Sequence, residues 1–152
     1  MHGPMEQWQL EAREAIRDLV ARYNANGDSG RFEQVVELFA PDAVMELDDG
    51  VRRGHDEILS IFTGTRDRLR AEGTDGAPPG RLFHFTTTHQ IDLIDRSTAR
   101  GRAYYQVLTS IGLDHWGRYI DEYRTVDGVW KFARRRVTTD GRAPGSLFPA
   151  PG

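Results

Sequence analysis

The apolar residues Trp8, Ala12, Ala15, Ile16, Leu19, Val20 and Tyr23 recur at steps of three and four, a period that predicts an amphipathic helix from Glu6 to about Asn26. Gly27 and Gly30 end it, because glycine closes a helix without steric cost. A shorter helix is expected from about Phe32 to Phe39, burying Val35, Val36, Leu38 and Phe39, with Pro41 and Asp42 breaking the pattern. Ala43 to Leu47 reads as a short strand, Asp48-Asp49-Gly50 as a turn, and Asp56 as the cap of a third helix through about Ala71. The stretch Gly73 to Gly80, which contains Pro78-Pro79, reads as a loop.

After that loop the period changes to two. Four runs rich in Phe, Tyr, Val, Ile and Thr, at about 82–94, 99–112, 116–126 and 129–138, read as strands. Helices first and a long-stranded meander afterwards indicate an α+β fold on an antiparallel sheet rather than alternating βαβ units. Residues 1–152 read as a single domain, with 1–5 and 139–152 as irregular termini and Leu147 and Phe148 as candidate anchors of the tail.

Asp127-Gly128 between Val126 and Val129 is the sharpest local signal, since a two-residue type I′ turn favours this pair. With Val126 opposite Val129, Thr125 meets Trp130, Tyr123 meets Phe132, Asp121 meets Arg134 and Tyr119 meets Arg136, all on one face. The aromatic residues make that face the inner one and carry Asp121 and Arg134 inside with it. A buried charge requires a partner, and this register supplies one. The pair reads either as a structural brace or as the polar end of an aromatic pocket in which Asp121 acts as a base or orients a substrate hydroxyl.

Composition narrows the chemistry. The chain has no cysteine, which removes disulfides, thiolate nucleophiles and thiolate metal sites. Its histidines, at 2, 55, 84, 89 and 115, lack close helical metal-ligand spacing, so no metal is expected. Lys131 is the only lysine, which confines Schiff-base chemistry to that residue. A net charge of −3 speaks against a general nucleic-acid binder. No apolar run reaches the roughly 20 residues of a membrane span, and the cytoplasm is the expected location. No Gly-rich strand-to-helix turn of the dinucleotide type is present, and no cofactor is expected.

Four segments carry a family resemblance: A-I-R-D-L-V-A-R-Y from Ala15, F-E-Q-V-V-E-L-F-A-P-D-A from Phe32, H-F from His84, and G-R-Y-I-D-E-Y-R-T-V-D-G-V-W-K-F from Gly117. Together they resemble SnoaL-like proteins of the nuclear transport factor 2-like superfamily, which includes polyketide cyclases, scytalone dehydratase and dehydrochlorinases. The resemblance implies a cone-shaped α+β barrel, three N-terminal helices packed on a strongly curved antiparallel sheet, with a pocket for a small hydrophobic molecule. It places His84 where the dehydratase and dehydrochlorinase branch has its catalytic histidine. The supporting helix-1 aspartate of those relatives falls at Arg22 here, which cannot accept a hydrogen bond from an imidazole.

Strand alternation sets His84 on one face of its strand and Phe83, Phe85, His89 and Ile91 on the other, more apolar one. Alternation buries His89 and the resemblance buries His84; a curved sheet covered by a second subunit would reconcile them, with His89 a structural or interface residue. Tyr23, Tyr105, Tyr119, Trp130, Phe132 and Arg134 are the candidate substrate-binding residues, and His84 and Asp121 the candidate catalytic ones. His115 and Trp116 read as rim residues at a strand turn, Asp28 as a cap of the loop after the first helix, and Asp42 as the start of a turn. Three functions fit: a cofactor-independent lyase, isomerase or cyclase acting on a hydrophobic ring-containing substrate; a non-catalytic small-ligand binding protein; or an oligomerisation module. A homodimer or other homo-oligomer is expected through the outer face of the sheet.

Overall fold

The computed structural model describes residues 3–72 and 82–150, so the loop expected at Gly73 to Gly80 lies outside the described residues. The elements are α1 (Gln7–Asp28), α2 (Phe32–Val36), β1 (Phe39–Leu47), β2 (Gly50–Arg53), α3 (Gly54–Glu72), β3 (Phe83–Leu93), β4 (Thr98–Thr109), β5 (Gly112–Val126) and β6 (Val129–Arg142). The strands form one sheet in the order β2-β1-β6-β5-β4-β3. Helix α1 lies on β3 and β6, and α3 lies on β1 and β2. The core between them holds Ile16, Leu19, Tyr23, Val35, Phe39, Met45, Ile58, Val107, Tyr119 and Phe132.

The N-terminal half departs from the periodicity in two ways. Helix α2 stops at Val36, because Phe39 and Ala40 are fully buried as strand residues, with the Phe39 ring 4.9 Å from that of Phe132. Strand β1 then runs parallel to β6, so the sheet is mixed rather than wholly antiparallel. Pro41 sits inside β1 where the register between Phe39 and Val44 is irregular, a place where a missing N–H costs no ladder bond. Strand β2, absent from the sequence reading, pairs back on β1 through the Asp48-Asp49 turn.

The last hairpin forms as its turn dictates. Asp127 and Gly128 have φ of 51° and 79°, as a type I′ turn demands, and Val126, Thr125 and Tyr123 face Val129, Trp130 and Phe132. A bulge then intervenes: Glu122 faces Arg134, Asp121 faces Arg135 and Tyr119 faces Val137. The expected Asp121–Arg134 pair is therefore replaced by Asp121–Arg135, because one extra residue on β6 shifts every later position by one. Arg134 turns outward and pairs with Glu46 on β1.

A second bulge settles the two histidines of β3. Thr88 has φ 52°, and the register with β4 breaks between Thr87 and Gln90. Before the bulge His84 and Thr86 point inward; after it His89, Ile91 and Leu93 do. Both histidines are thus inside without any second subunit, and Phe83 and Phe85 are left on the outer face.

Gly117 on β5 marks a close approach between strands. A Cβ there would sit 1.8 Å from the Thr138 carbonyl oxygen, so this position admits only hydrogen.

Candidate active site

A cavity of about 850 Å³ opens between the C-terminal half of α1, helix α3, the inner faces of β3 to β6 and the C-terminal tail. Helix α1 contributes Asn24 and Asp28, one turn apart, and Tyr23 beside them, while α3 contributes Phe62 and Leu69. The sheet contributes His84, Tyr105, His115, Tyr119 and Val137, and the tail contributes Phe148.

His84 and Asp28 form the polar pair of this cavity. Asp28 Oδ1 lies 2.5 Å from His84 Nδ1, and Asp28 Oδ2 accepts the His84 backbone N–H at 2.9 Å. Two contacts from one carboxylate fix both the strand and the ring, so the aspartate sets the tautomer: Nδ1 carries the proton toward Asp28 and Nε2 holds a lone pair. The carboxylate also stabilises an imidazolium at His84, which is what a general base needs at the moment it takes a proton. The support missing at Arg22 thus comes from Asp28, the last residue of α1. Arg22 lies on the solvent side of the helix, paired with Asp18 four residues earlier.

The phenols around the pair stay protonated. Burial pushes Tyr23 up to about 12 and raises Tyr105 and Tyr119 as well. Tyr119 donates to Asn24 Oδ1 at 3.2 Å, Asn24 Nδ2 donates to Thr86 Oγ1 at 2.6 Å, and Tyr105 donates to the Thr138 carbonyl at 2.9 Å while stacking on Tyr119. The Tyr23 hydroxyl is bonded to Arg135, which can only donate, and its own proton has no acceptor among the described residues.

Asp121 sits one layer behind this wall. Arg135 Nε and Nη2 each donate to it at 2.8 Å, and Tyr123 donates at 2.8 Å. Tyr123 has then used its only hydroxyl proton, so His89 Nε2, 3.1 Å from that oxygen, is the donor of the next bond. The guanidinium of Arg135 lies within 4.3 Å of the ring centroids of Tyr23, Tyr119 and Phe132. Neither Asp121 nor Arg135 lines the cavity, and neither do Trp130, Phe132 or Arg134. Of the residues named from sequence, the structure brings His84, Tyr23, Tyr105 and Tyr119 together in the cavity wall and leaves Asp121, Trp130, Phe132 and Arg134 out of it.

His115 is a pocket residue rather than a rim residue, and its partner Asp114 is fully buried. Continuing the inward positions Tyr123, Asp121 and Tyr119 by steps of two reaches Gly117 and His115, so strand parity contained this signal once β5 is extended past Trp116. Asp28 had a weaker signal: it lies one position beyond the inward face that Val20, Tyr23 and Gly27 trace along α1. Among the described residues no group of three or more His, Asp or Glu is placed to hold a metal ion. None of the helices described is long and apolar enough to cross a membrane.

The SnoaL-like domain family matches residues 8–136, a span that holds nearly all of α1, most of the sheet and most of the cavity lining, while Val137, Thr139, Arg142 and Phe148 of the cavity lie beyond it. The chain belongs to this family. Its structural neighbours share the fold over nearly their full lengths. An NTF2-like protein with a cystatin-like fold from Novosphingobium aromaticivorans is 27% identical, with 89% of this chain and 86% of that one covered and a TM-score of 0.74. A protein described as a putative scytalone dehydratase from Novosphingobium aromaticivorans DSM 12444 is 20% identical, with 97% and 100% covered and a TM-score of 0.72. LinA, whose name is shared with hexachlorocyclohexane dehydrochlorinases, is 20% identical, with 95% and 97% covered and a TM-score of 0.76. No curated protein matches the chain. Identities this low establish the fold of this SnoaL-like domain, and its chemistry has to be argued from its own residues.

Proposed function

We propose that this SnoaL-like protein is a cofactor-independent lyase or isomerase that removes a proton from a hydrophobic, ring-containing molecule. The observation that carries this reading is the His84–Asp28 pair, whose free imidazole nitrogen belongs to a ring lining an aromatic cavity. His84 Nε2 takes a proton from carbon, and the C–H electron pair forms a double bond as a leaving group departs or as charge moves to a neighbouring carbonyl oxygen. The Tyr23 hydroxyl is the donor for that oxygen. Names of two neighbours, a dehydratase and a dehydrochlorinase, describe eliminations of this kind in those proteins. The aromatic and aliphatic side chains of Tyr23, Phe62, Leu69, Tyr105 and Tyr119 along the cavity support the same reading, since they suit a hydrophobic ring. A purely ligand-carrying role would suit a histidine without a carboxylate, and Asp28 supplies one to His84. The test is product formation from β-hydroxy and β-halo cyclic compounds, followed by chromatography. Turnover that disappears in His84→Ala is the expected result, and equal turnover in the variant would overturn it.

The outer face of the sheet supports self-association. Phe83, Phe85, Tyr104, Trp116 and Ile120 are exposed there on three adjacent strands. They alternate there with Gln106, Arg102 and Arg118, a mixed apolar and polar face of the kind that subunit interfaces use, and we infer a homodimer across it. Sedimentation at micromolar concentration is expected to show a species of twice 17.2 kDa, and Phe85→Glu is expected to return the monomer. A monomer for the unaltered chain would refute the dimer and leave the cavity chemistry untouched.

A further inference from the structure

A second histidine of the cavity wall, His115, is held by a carboxylate behind it. Asp114 Oδ1 lies 2.8 Å from His115 Nδ1, and its carboxylate also accepts Thr109 Oγ1 at 2.9 Å, Ser146 Oγ at 2.5 Å and the Leu147 backbone N–H at 2.9 Å. Burial by itself would raise Asp114, but these donors together outweigh it and hold the carboxyl below its ordinary value. Asp114 is therefore ionised and fixes the proton of His115 on Nδ1. Among the described residues nothing bonds to His115 Nε2, on a ring that lines the cavity between the rings of Tyr105 and Phe148. Burial keeps His115 below the ordinary histidine value, and Asp114 only partly offsets this while His84 and Arg142 add to it. The ring is therefore neutral near pH 7, and its Nε2 is a hydrogen-bond acceptor.

The register fixes where this acceptor stands. His84 on β3 faces Val107 on β4, and Val107 faces His115 on β5, so the two histidines lie in one inward row two strands apart. Strand spacing puts their Cα atoms about 10 Å apart, a gap that suits a one- or two-ring skeleton lying across β4. A molecule spanning it offers a C–H to His84 at one end and needs an O–H for His115 at the other.

We propose that His115, oriented by Asp114, reads a hydroxyl group on the substrate, so that the molecule bound in this cavity is a hydroxylated ring compound. The proposal rests on the reading of the cavity as the His84 site. A bare aromatic ring packed on this buried histidine leaves Nε2 without a partner, and a hydroxyl satisfies it; loss of such a contact lowers affinity about tenfold.

The experiment compares binding of 1-naphthol and of naphthalene, which differ by the hydroxyl alone, to the unaltered protein and to His115→Phe, His115→Ala and His84→Ala, by fluorescence titration. The expected result is a preference for 1-naphthol of about tenfold in the unaltered protein and in His84→Ala, reduced to about parity in both His115 variants. Either His115 variant suffices if the other fails to fold, as judged by its melting curve. A preference that persists in the His115 variants, or no preference in the unaltered protein, overturns the proposal. A preference lost only in His84→Ala overturns it too and moves hydroxyl recognition to His84. Because no turnover is measured, failure here leaves the proton-abstraction reading standing, and failure of turnover leaves the hydroxyl preference standing.

Discussion

Replacing Asp121 by asparagine is expected to cost about 3 kcal/mol of stability or more, which for a chain of this size lowers the melting temperature by roughly 10 °C. Asp121 is the only carboxylate bonded to Arg135 among the described residues, and both side chains are fully buried. The Tyr23 hydroxyl beside the guanidinium is neutral and Arg135 Nη1 lacks a hydrogen-bond partner, so no second anion balances the cation when the charge at Asp121 is removed. The faces of Tyr23, Tyr119 and Phe132 hold the cation equally before and after the substitution, so they do not replace the charge that is lost. The exposed pair Arg118–Asp140 provides the control: Asp140→Asn is expected to cost under about 1 kcal/mol, because water screens that pair. Replacing both partners, Asp121→Asn with Arg135→Met, is expected to recover much of the loss, since an apolar side chain suits the ring cage. Urea denaturation of the three variants checks this. An Asp121→Asn protein as stable as the original would mean that Arg135 finds compensation elsewhere, and the brace described above would be wrong.

Asp28→Asn is expected to lower kcat by about two to four orders of magnitude while KM changes little. An asparagine keeps the shape of the carboxylate but cannot stabilise an imidazolium. Two contacts from His84 reach Asp28, the backbone N–H and Nδ1. With its carbonyl oxygen on the backbone N–H, the substituted amide presents its NH2 group to Nδ1, which drives the ring proton to Nε2 and turns the base into a donor. The stability cost is smaller, about 1 kcal/mol, since both contacts persist as hydrogen bonds of neutral strength. The split between activity and stability separates a catalytic carboxylate from a loop cap: a cap would lose stability and leave kcat alone. Asp28→Asn combined with His84→Ala is expected to be no worse than His84→Ala, because the two residues act as a unit. Additive losses would show that Asp28 acts on the substrate independently of the histidine.

Much of this protein follows from its sequence, and the reasons are local. The period of α1 located its inner face, and the Asp127-Gly128 turn fixed Val126, Thr125 and Tyr123 against Val129, Trp130 and Phe132. Short-range sterics decide both, so neither needs knowledge of the rest of the chain. The four resembling segments placed the chain in its family and pointed to His84. Tertiary structure alone decided which charges meet. Single-residue bulges at Ala133 and Thr88 replaced Arg134 by Arg135 as the partner of Asp121 and turned both His84 and His89 inward. A bulge adds a residue to one strand without changing the polarity pattern that alternation reads, so composition along the strand does not reveal it. The same holds for Asp28 with His84 and for Asp114 with Ser146 and Leu147. These contacts join residues 56, 32 and 33 positions apart, and only the packing of α1 and of the tail against the sheet brings them within hydrogen-bond reach.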